Sequence, residues 1–184
     1  MNLPQCDFYL REGGEFVIKT TRDLVVGKRS VIFMVPGAFT PTCTNQQLPG
    51  FEAAYDQIAA KGVDQILCVS VNDAFVMNAW GESLGIEKVK MIPDGNGTFA
   101  VGAQALVGKQ NLGFGSRAWR CALIVNEAGM VEWAGVEAGK RDNASDDPYE
   151  ESTPVKVLEA LEQIEAMKLQ AAEAEAKALA DAAA

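Results

Sequence analysis

The sequence predicts an α/β fold: a central mixed sheet, mainly parallel, flanked by helices. Three observations carry this reading. Continuous apolar runs of strand length, Ser30–Val35, Gln65–Val71 and Arg120–Val125, are patterned as buried central strands. Segments patterned as helices lie between them, and strands alternating with helices build parallel sheets. One late hairpin adds antiparallel strands. The 184 residues are enough for one ordinary domain, and a hydrophobic content of 48% can fill its core.

The elements follow in order. Cys6–Leu10 and Glu15–Ile18 are short extended runs about Gly13-Gly14, a hairpin. Ser30–Val35 ends in Pro36-Gly37-Ala38-Phe39-Thr40-Pro41, a loop rich in helix and strand breakers. A helix is predicted from about Thr42 to Lys61, with apolar Leu48, Phe51, Ala54, Tyr55 and Ile58, and Gly62 ends it. Pro49 lies inside that helix and should kink it, because its ring removes a donor and clashes one turn back. Gln65–Val71 meets Asn72-Asp73, which supplies N-cap chemistry for a helix over Ala74–Leu84. Lys88–Ile92 is a third strand and Thr98–Ala105 a short helix. Arg120–Val125 and Met130–Val136, joined through Asn126-Glu127-Ala128-Gly129, form the late hairpin. Thr153-Pro154 opens a long helix with apolar Val155, Leu158, Leu161, Ile164 and Met167. After the first hairpin the order is β-α-β-α-β-α-β-β-α, the thioredoxin-like plan. Residues 1–168 form this domain. Residues 169–184 are a helical or disordered tail: the last 20 residues hold 10 alanines, good helix formers with no apolar stripe to pack.

Composition excludes several functions. Lys plus Arg number 16 against 25 Asp plus Glu, a net charge of −9, which argues against nucleic acid because phosphate neutralisation needs clustered cations. No apolar run reaches 18 residues, so no membrane-spanning helix is expected. The start, Met1-Asn2-Leu3-Pro4, lacks a basic segment followed by an apolar core, so the expected location is cytoplasmic. The chain has no histidine, which removes Ser-His-Asp and Cys-His machinery, His-containing zinc sites and His-ligated haem. No cofactor and no metal are expected. Gly95-Asn96-Gly97-Thr98-Phe99-Ala100 and Gly113-Phe114-Gly115-Ser116-Arg117-Ala118 mimic a dinucleotide fingerprint, but the first has Arg117 and not an acid about twenty residues on, and the second leads into a strand. Both read as turns.

Four cysteines remain: Cys6, Cys43, Cys68 and Cys121, with no C-x-x-C pair. Cys68 and Cys121 lie inside apolar strands, where cysteine behaves as a small hydrophobe. Cys6 sits at the edge of the hairpin. Cys43 differs, because it falls in the first turn of a helix just beyond a buried strand. Orphan N–H groups and the positive end of the dipole favour a thiolate there. The ends of parallel strands are also where α/β folds place their sites.

Pro36-Gly37-Ala38-Phe39-Thr40-Pro41-Thr42-Cys43, followed by Leu48-Pro49-Gly50-Phe51, resembles the peroxiredoxin signature P-x-x-x-T-x-x-C in its peroxiredoxin-five (atypical, type II) form. Ser70-Val71-Asn72-Asp73-Ala74-Phe75-Val76, Trp80-Gly81 and Gly115-Ser116-Arg117-Ala118-Trp119-Arg120 are similar to the same subfamily. The resemblance implies a peroxidase in which Cys43 is the nucleophile, Thr40 its hydroxyl partner, Arg120 the guanidinium, and Pro36 a shield over the pocket. Hydrogen peroxide and organic hydroperoxides are the implied substrates. Cys43 would become a sulfenic acid, recycled by an external thiol, glutathione with glutaredoxin or thioredoxin. The resemblance also implies a homodimer. Gln47 stands where members of the subfamily commonly have histidine, and no cysteine follows Cys121. A sensor or holdase using the same oxidisable thiol is the alternative.

Ionising the thiol accounts for only part of such a rate. Turning a mostly protonated thiol into a mostly ionised one contributes ~30-fold, about 2 kcal/mol, whereas enzymatic accelerations start near 10⁶-fold, about 8 kcal/mol. Alignment of the peroxide and stabilisation of developing charge must supply the rest.

Overall fold

The computed structural model describes residues 2–182. In chain order the elements are β1 (Asp7–Glu12), β2 (Glu15–Thr20), α1 (Thr21–Val25), β3 (Ser30–Val35), α2 (Leu48–Ala59), β4 (Gln65–Ser70), α3 (Ala74–Ser83), β5 (Lys90–Pro93), α4 (Thr98–Gly102), β6 (Leu106–Gly108), β7 (Ser116–Ala118), β8 (Cys121–Val125), β9 (Val131–Val136) and α5 (Pro154–Ala182). Gly13 and Gly14 turn the first hairpin at φ of +59° and +88°, a conformation open to glycine without steric cost.

The five-stranded sheet has the order β5-β4-β3-β8-β9. β3 pairs with β4 and β4 with β5 in parallel, while β8 runs antiparallel to both β3 and β9. Four strands therefore point one way and β8 the other, so the sheet is the predicted mixed one.

Strand periodicity divides the core in two. Val31, Phe33 and Val35 of β3 face a cluster with Leu48, Phe51 and Ile58 of α2, Met77 and Trp80 of α3, and Val157, Leu161 and Ile164 of α5. Ile32 and Met34 face the opposite layer, with Phe8 and Leu10 of β1, Leu24 of α1 and Phe99 of α4. The Phe33 and Phe51 rings stack at 4.2 Å with an interplanar angle of 10°, tying α2 to the central strand. Phe51→Ala is expected to cost about 3–5 kcal/mol, read as a lowered urea midpoint.

Three features depart from the sequence expectation. Helix α1 is an extra turn held by a capping box, in which Thr20 Oγ1 accepts from Asp23 N–H while Asp23 Oδ2 accepts from Thr20 N–H. β6 and β7 form a small separate ladder. The helix expected over 42–61 is not one kinked rod: a π-helical turn at Cys43–Gln47 precedes α2. The long terminal helix does form, but its buried residues end at Ile164 and everything from Glu165 to Ala182 is exposed. No described helix is long and apolar enough to cross a membrane.

Candidate active site

β3 delivers the chain to the C-terminal edge of the sheet, where Pro36 and Gly37 are buried. Thr44 N–H donates to the Thr40 carbonyl at 2.9 Å, so helical geometry begins at Pro41, whose missing N–H costs nothing at the first helical position. Cys43 follows within that first turn. Leu48 N–H donates to the Cys43 carbonyl, a five-residue span. Pro49 is then the second residue of α2, and the widened turn before it accommodates the ring and the donor it lacks within a helical run that begins at Pro41. Cys43 and Gln47 are the two buried residues of the turn. Phe39, just before it, is held at φ +62°, which is strained for a side chain with a Cβ and is a feature concentrated at functional sites.

Arg120, at the mouth of β8, is 1% exposed and reaches Cys43, which is 0% exposed. Its Nη1 donates to Cys43 Sγ at 3.4 Å and to Gln47 Oε1 at 2.6 Å. Nε donates to the Pro148 carbonyl at 3.0 Å, Nη2 pairs with Asp147, and the Tyr149 ring lies 5.7 Å away. Burial acts to weaken the guanidinium's hold on its proton, but the charges of Cys43 and Asp147 more than offset it and raise its pKa. Burial pushes the Tyr149 hydroxyl up to about 12, so it remains protonated. The guanidinium is thus held as a fixed donor against the sulfur.

Behind Arg120 the polar groups continue. Gln47 Nε2 donates to Ser152 Oγ at 3.4 Å and to its carbonyl at 3.5 Å. Ser152 Oγ donates to Glu137 Oε1 at 2.7 Å. Glu137, itself buried, also accepts the backbone N–H groups of Glu150, Glu151 and Ser152.

Of the residues singled out in the sequence, Cys43 and Arg120 meet at this point. Thr40 lies in the same loop, but its hydroxyl donates to the Gly37 carbonyl at 2.8 Å, and no hydrogen bond joins it to Cys43 among the described residues. Its proton is committed to closing the turn, which leaves the oxygen as an acceptor. Arg117, three residues before Arg120, is half-buried on β7. Its Nη1 donates to the Val71 carbonyl at 3.1 Å, and a Cβ built on Gly37 would lie 3.2 Å from that atom. Burial lowers its pKa, partly countered by Cys43. It props the loop that carries the cysteine.

The remaining thiols are poorly suited to nucleophilic work. Burial pushes Cys68 well above the ordinary thiol value, and Cys121 to about 12. Cys6 is half-buried and also raised, chiefly by burial, with Thr21 Oγ1 at 3.6 Å. Asp147, Tyr149, Ser152 and Glu137 were not found from the sequence. They lie on an irregular segment between β9 and α5 with no periodic signal to read. Gly97, Gly113 and Gly115 all have left-handed φ, which fits the reading of both glycine motifs as turns.

The family model described as Redoxin matches residues 12–151. Peroxiredoxin y4vD of Sinorhizobium fredii is 51% identical over 152 residues, covering 83% of this chain and 80% of that one. The antioxidant protein of Plasmodium falciparum, a 1-Cys peroxiredoxin, superposes with a TM-score of 0.84 at 32% identity, covering 89% of this chain and 98% of that one. Reduced Prx3 of Vibrio vulnificus in complex with hydrogen peroxide gives 0.79 at 40% identity, covering 88% and 94%. With a lone cysteine at a helix start facing a buried arginine, and these similarities along most of its length, the chain belongs to the redoxin family and within it is a peroxiredoxin, a thiol-dependent peroxidase.

Proposed function

We propose that the chain reduces hydrogen peroxide and organic hydroperoxides at Cys43. The observation that carries this assignment is the 3.4 Å contact between the buried Arg120 Nη1 and Cys43 Sγ. The thiolate attacks one peroxide oxygen and the O–O bond breaks. Sulfur gains that oxygen as sulfenate, and the leaving oxygen departs as water or alcohol with the peroxide's proton. Thr40 Oγ1, an acceptor once its own proton is committed to Gly37, holds the peroxide O–H. Four of the five guanidinium N–H groups of Arg120 are engaged with Pro148, Gln47, Cys43 and Asp147, which leaves one for the leaving oxygen. Pro36, buried in the same loop as Thr40, is the residue the resemblance makes the shield over the pocket.

Recycling falls to an external thiol. Cys6, Cys68 and Cys121 are buried or half-buried, and their thiols are raised by burial. The sulfenate condenses with an incoming thiol, releasing water, and a second thiol releases Cys43 as a thiolate again. The motif resemblance favours the peroxiredoxin-five subfamily and a homodimer. The deciding experiment is steady-state peroxide consumption with glutathione plus glutaredoxin or with thioredoxin as donor. Turnover with either supports the reading; consumption that stops after one equivalent with both favours a sensor.

The exposed end of α5 takes no part in this chemistry. Truncation after Gln170 is expected to change the rate less than about twofold, the effect of ordinary surface changes. A roughly tenfold loss in the same assay would place the tail at the site or at an assembly interface.

A further inference from the structure

Arg120 is held in place by more than its immediate neighbours. A guanidinium only donates, so Gln47 must present Oε1 to it, and the amide nitrogen of Gln47 must therefore face Ser152. Ser152 Oγ spends its proton on Glu137, which frees its lone pairs to accept from Gln47. Glu137 accepts three backbone N–H groups and this hydroxyl, and donates nothing from its side chain. The two ends fix every direction between them: a group that only donates, and a carboxylate that only accepts. The backbone closes the circuit, since Glu137 N–H donates to the Arg120 carbonyl at 3.2 Å.

We propose that Glu137, acting through Ser152 and Gln47, is a positioning residue for the peroxidase reaction. It sets the polarity of a buried hydrogen-bond chain whose last member aims Arg120 Nη1 at Cys43. Were the Ser152 proton free to turn toward Gln47, the amide nitrogen would keep only its longer contact to the Ser152 carbonyl, and the amide could flip to present its nitrogen to Arg120. Two donors would then face each other, and Nη1 would move off the sulfur. The segment carrying Ser152 thereby sets the geometry of a cysteine more than a hundred residues earlier in the chain. Glutamine suits this link because its amide keeps an acceptor oxygen and a donor nitrogen at every pH.

The proposal rests on the peroxidase reading, so peroxide consumption by the unmodified protein is measured first; its absence would overturn that reading. Given activity, Ser152→Ala is expected to slow oxidation of Cys43 by hydrogen peroxide about tenfold, as for a hydrogen bond lost behind a charged group. Ser152→Thr, which keeps the hydroxyl, should stay within about twofold of the parent. Alkylation by iodoacetamide needs the thiolate but no aligned peroxide, and should change less than the peroxide rate. In an Arg120→Lys background, Ser152→Ala should cost less than about twofold, because the chain then has no fork to aim. Glu137→Gln supplies a second variant with the same expected direction, should Ser152→Ala not fold. A Ser152→Ala protein as fast as the parent, or an undiminished penalty in the Arg120→Lys background, overturns the proposal.

Discussion

Cys43→Ser is expected to abolish peroxide consumption, a loss beyond about 10³-fold, while leaving the fold intact. The substitution exchanges sulfur for a smaller oxygen that still accepts from Arg120, so the buried guanidinium keeps a partner and little stability is lost. What disappears is the nucleophile, since an alcohol without an adjacent base stays protonated near neutrality. Among the described residues nothing can take over. Cys68 and Cys121 are packed within the sheet with their thiols pushed up by burial, and Cys6 is raised as well. Cys6→Ser, Cys68→Ser and Cys121→Ser should each consume one equivalent of peroxide in a single turnover and leave a sulfenate that a 1,3-diketone traps. A Cys43→Ser protein with the parent's rate would remove Cys43 from the reaction.

The contrast among the four thiols was legible in the sequence because it depends on local context. An apolar run on both sides places Cys68 and Cys121 in a core, and a breaker-rich loop followed by helix-forming residues places Cys43 at a helix start. The burial of β3 along its whole length was readable on the same grounds. Elements whose stability comes from elsewhere were not. β6 and β7 have three residues each, too few for a period of two to register. The capping box at Thr20 and Asp23 is written in the sequence, but the turn it holds has no stripe long enough to mark it as a helix. The π turn is the answer to a conflict the sequence did show, a proline inside a helical pattern, and two backbones could have resolved it. The residues that clamp Arg120 come from 137–152, where no periodicity exists and only the folded chain brings Asp147, Ser152 and Glu137 to one place. Thr40 shows the finer limit. Its position follows from spacing, but the destination of its proton follows from the turn it closes.

Arg120→Ala is expected to slow the second-order oxidation of Cys43 by about 10²–10³-fold, or about 2.7–4 kcal/mol, the usual cost of losing a donor aimed at developing charge. Part of that loss is indirect, because the buried Gln47 would lose its partner, whereas the exposed Asp147 can turn to water. Arg120→Lys keeps the charge and should still recover little. The guanidinium engages four partners from three nitrogens fixed in one plane, and a single ammonium cannot reach a backbone carbonyl, a carboxylate, an amide and a sulfur in that arrangement. Arg117→Ala tests whether any nearby guanidinium would do. Arg117 is close enough to sense the Cys43 charge, but its hydrogen bonds run to the Phe114 and Val71 carbonyls and its bulk lies under Gly37. Its removal should loosen the loop and cost less than about tenfold, an effect of positioning and not of charge. Stopped-flow oxidation of the three variants separates the cases. A large defect in Arg117→Ala beside normal reaction in Arg120→Ala would exchange the two roles, and would mean that the peroxide is met from the side of β7 while the contact at 3.4 Å serves only to bury the thiolate.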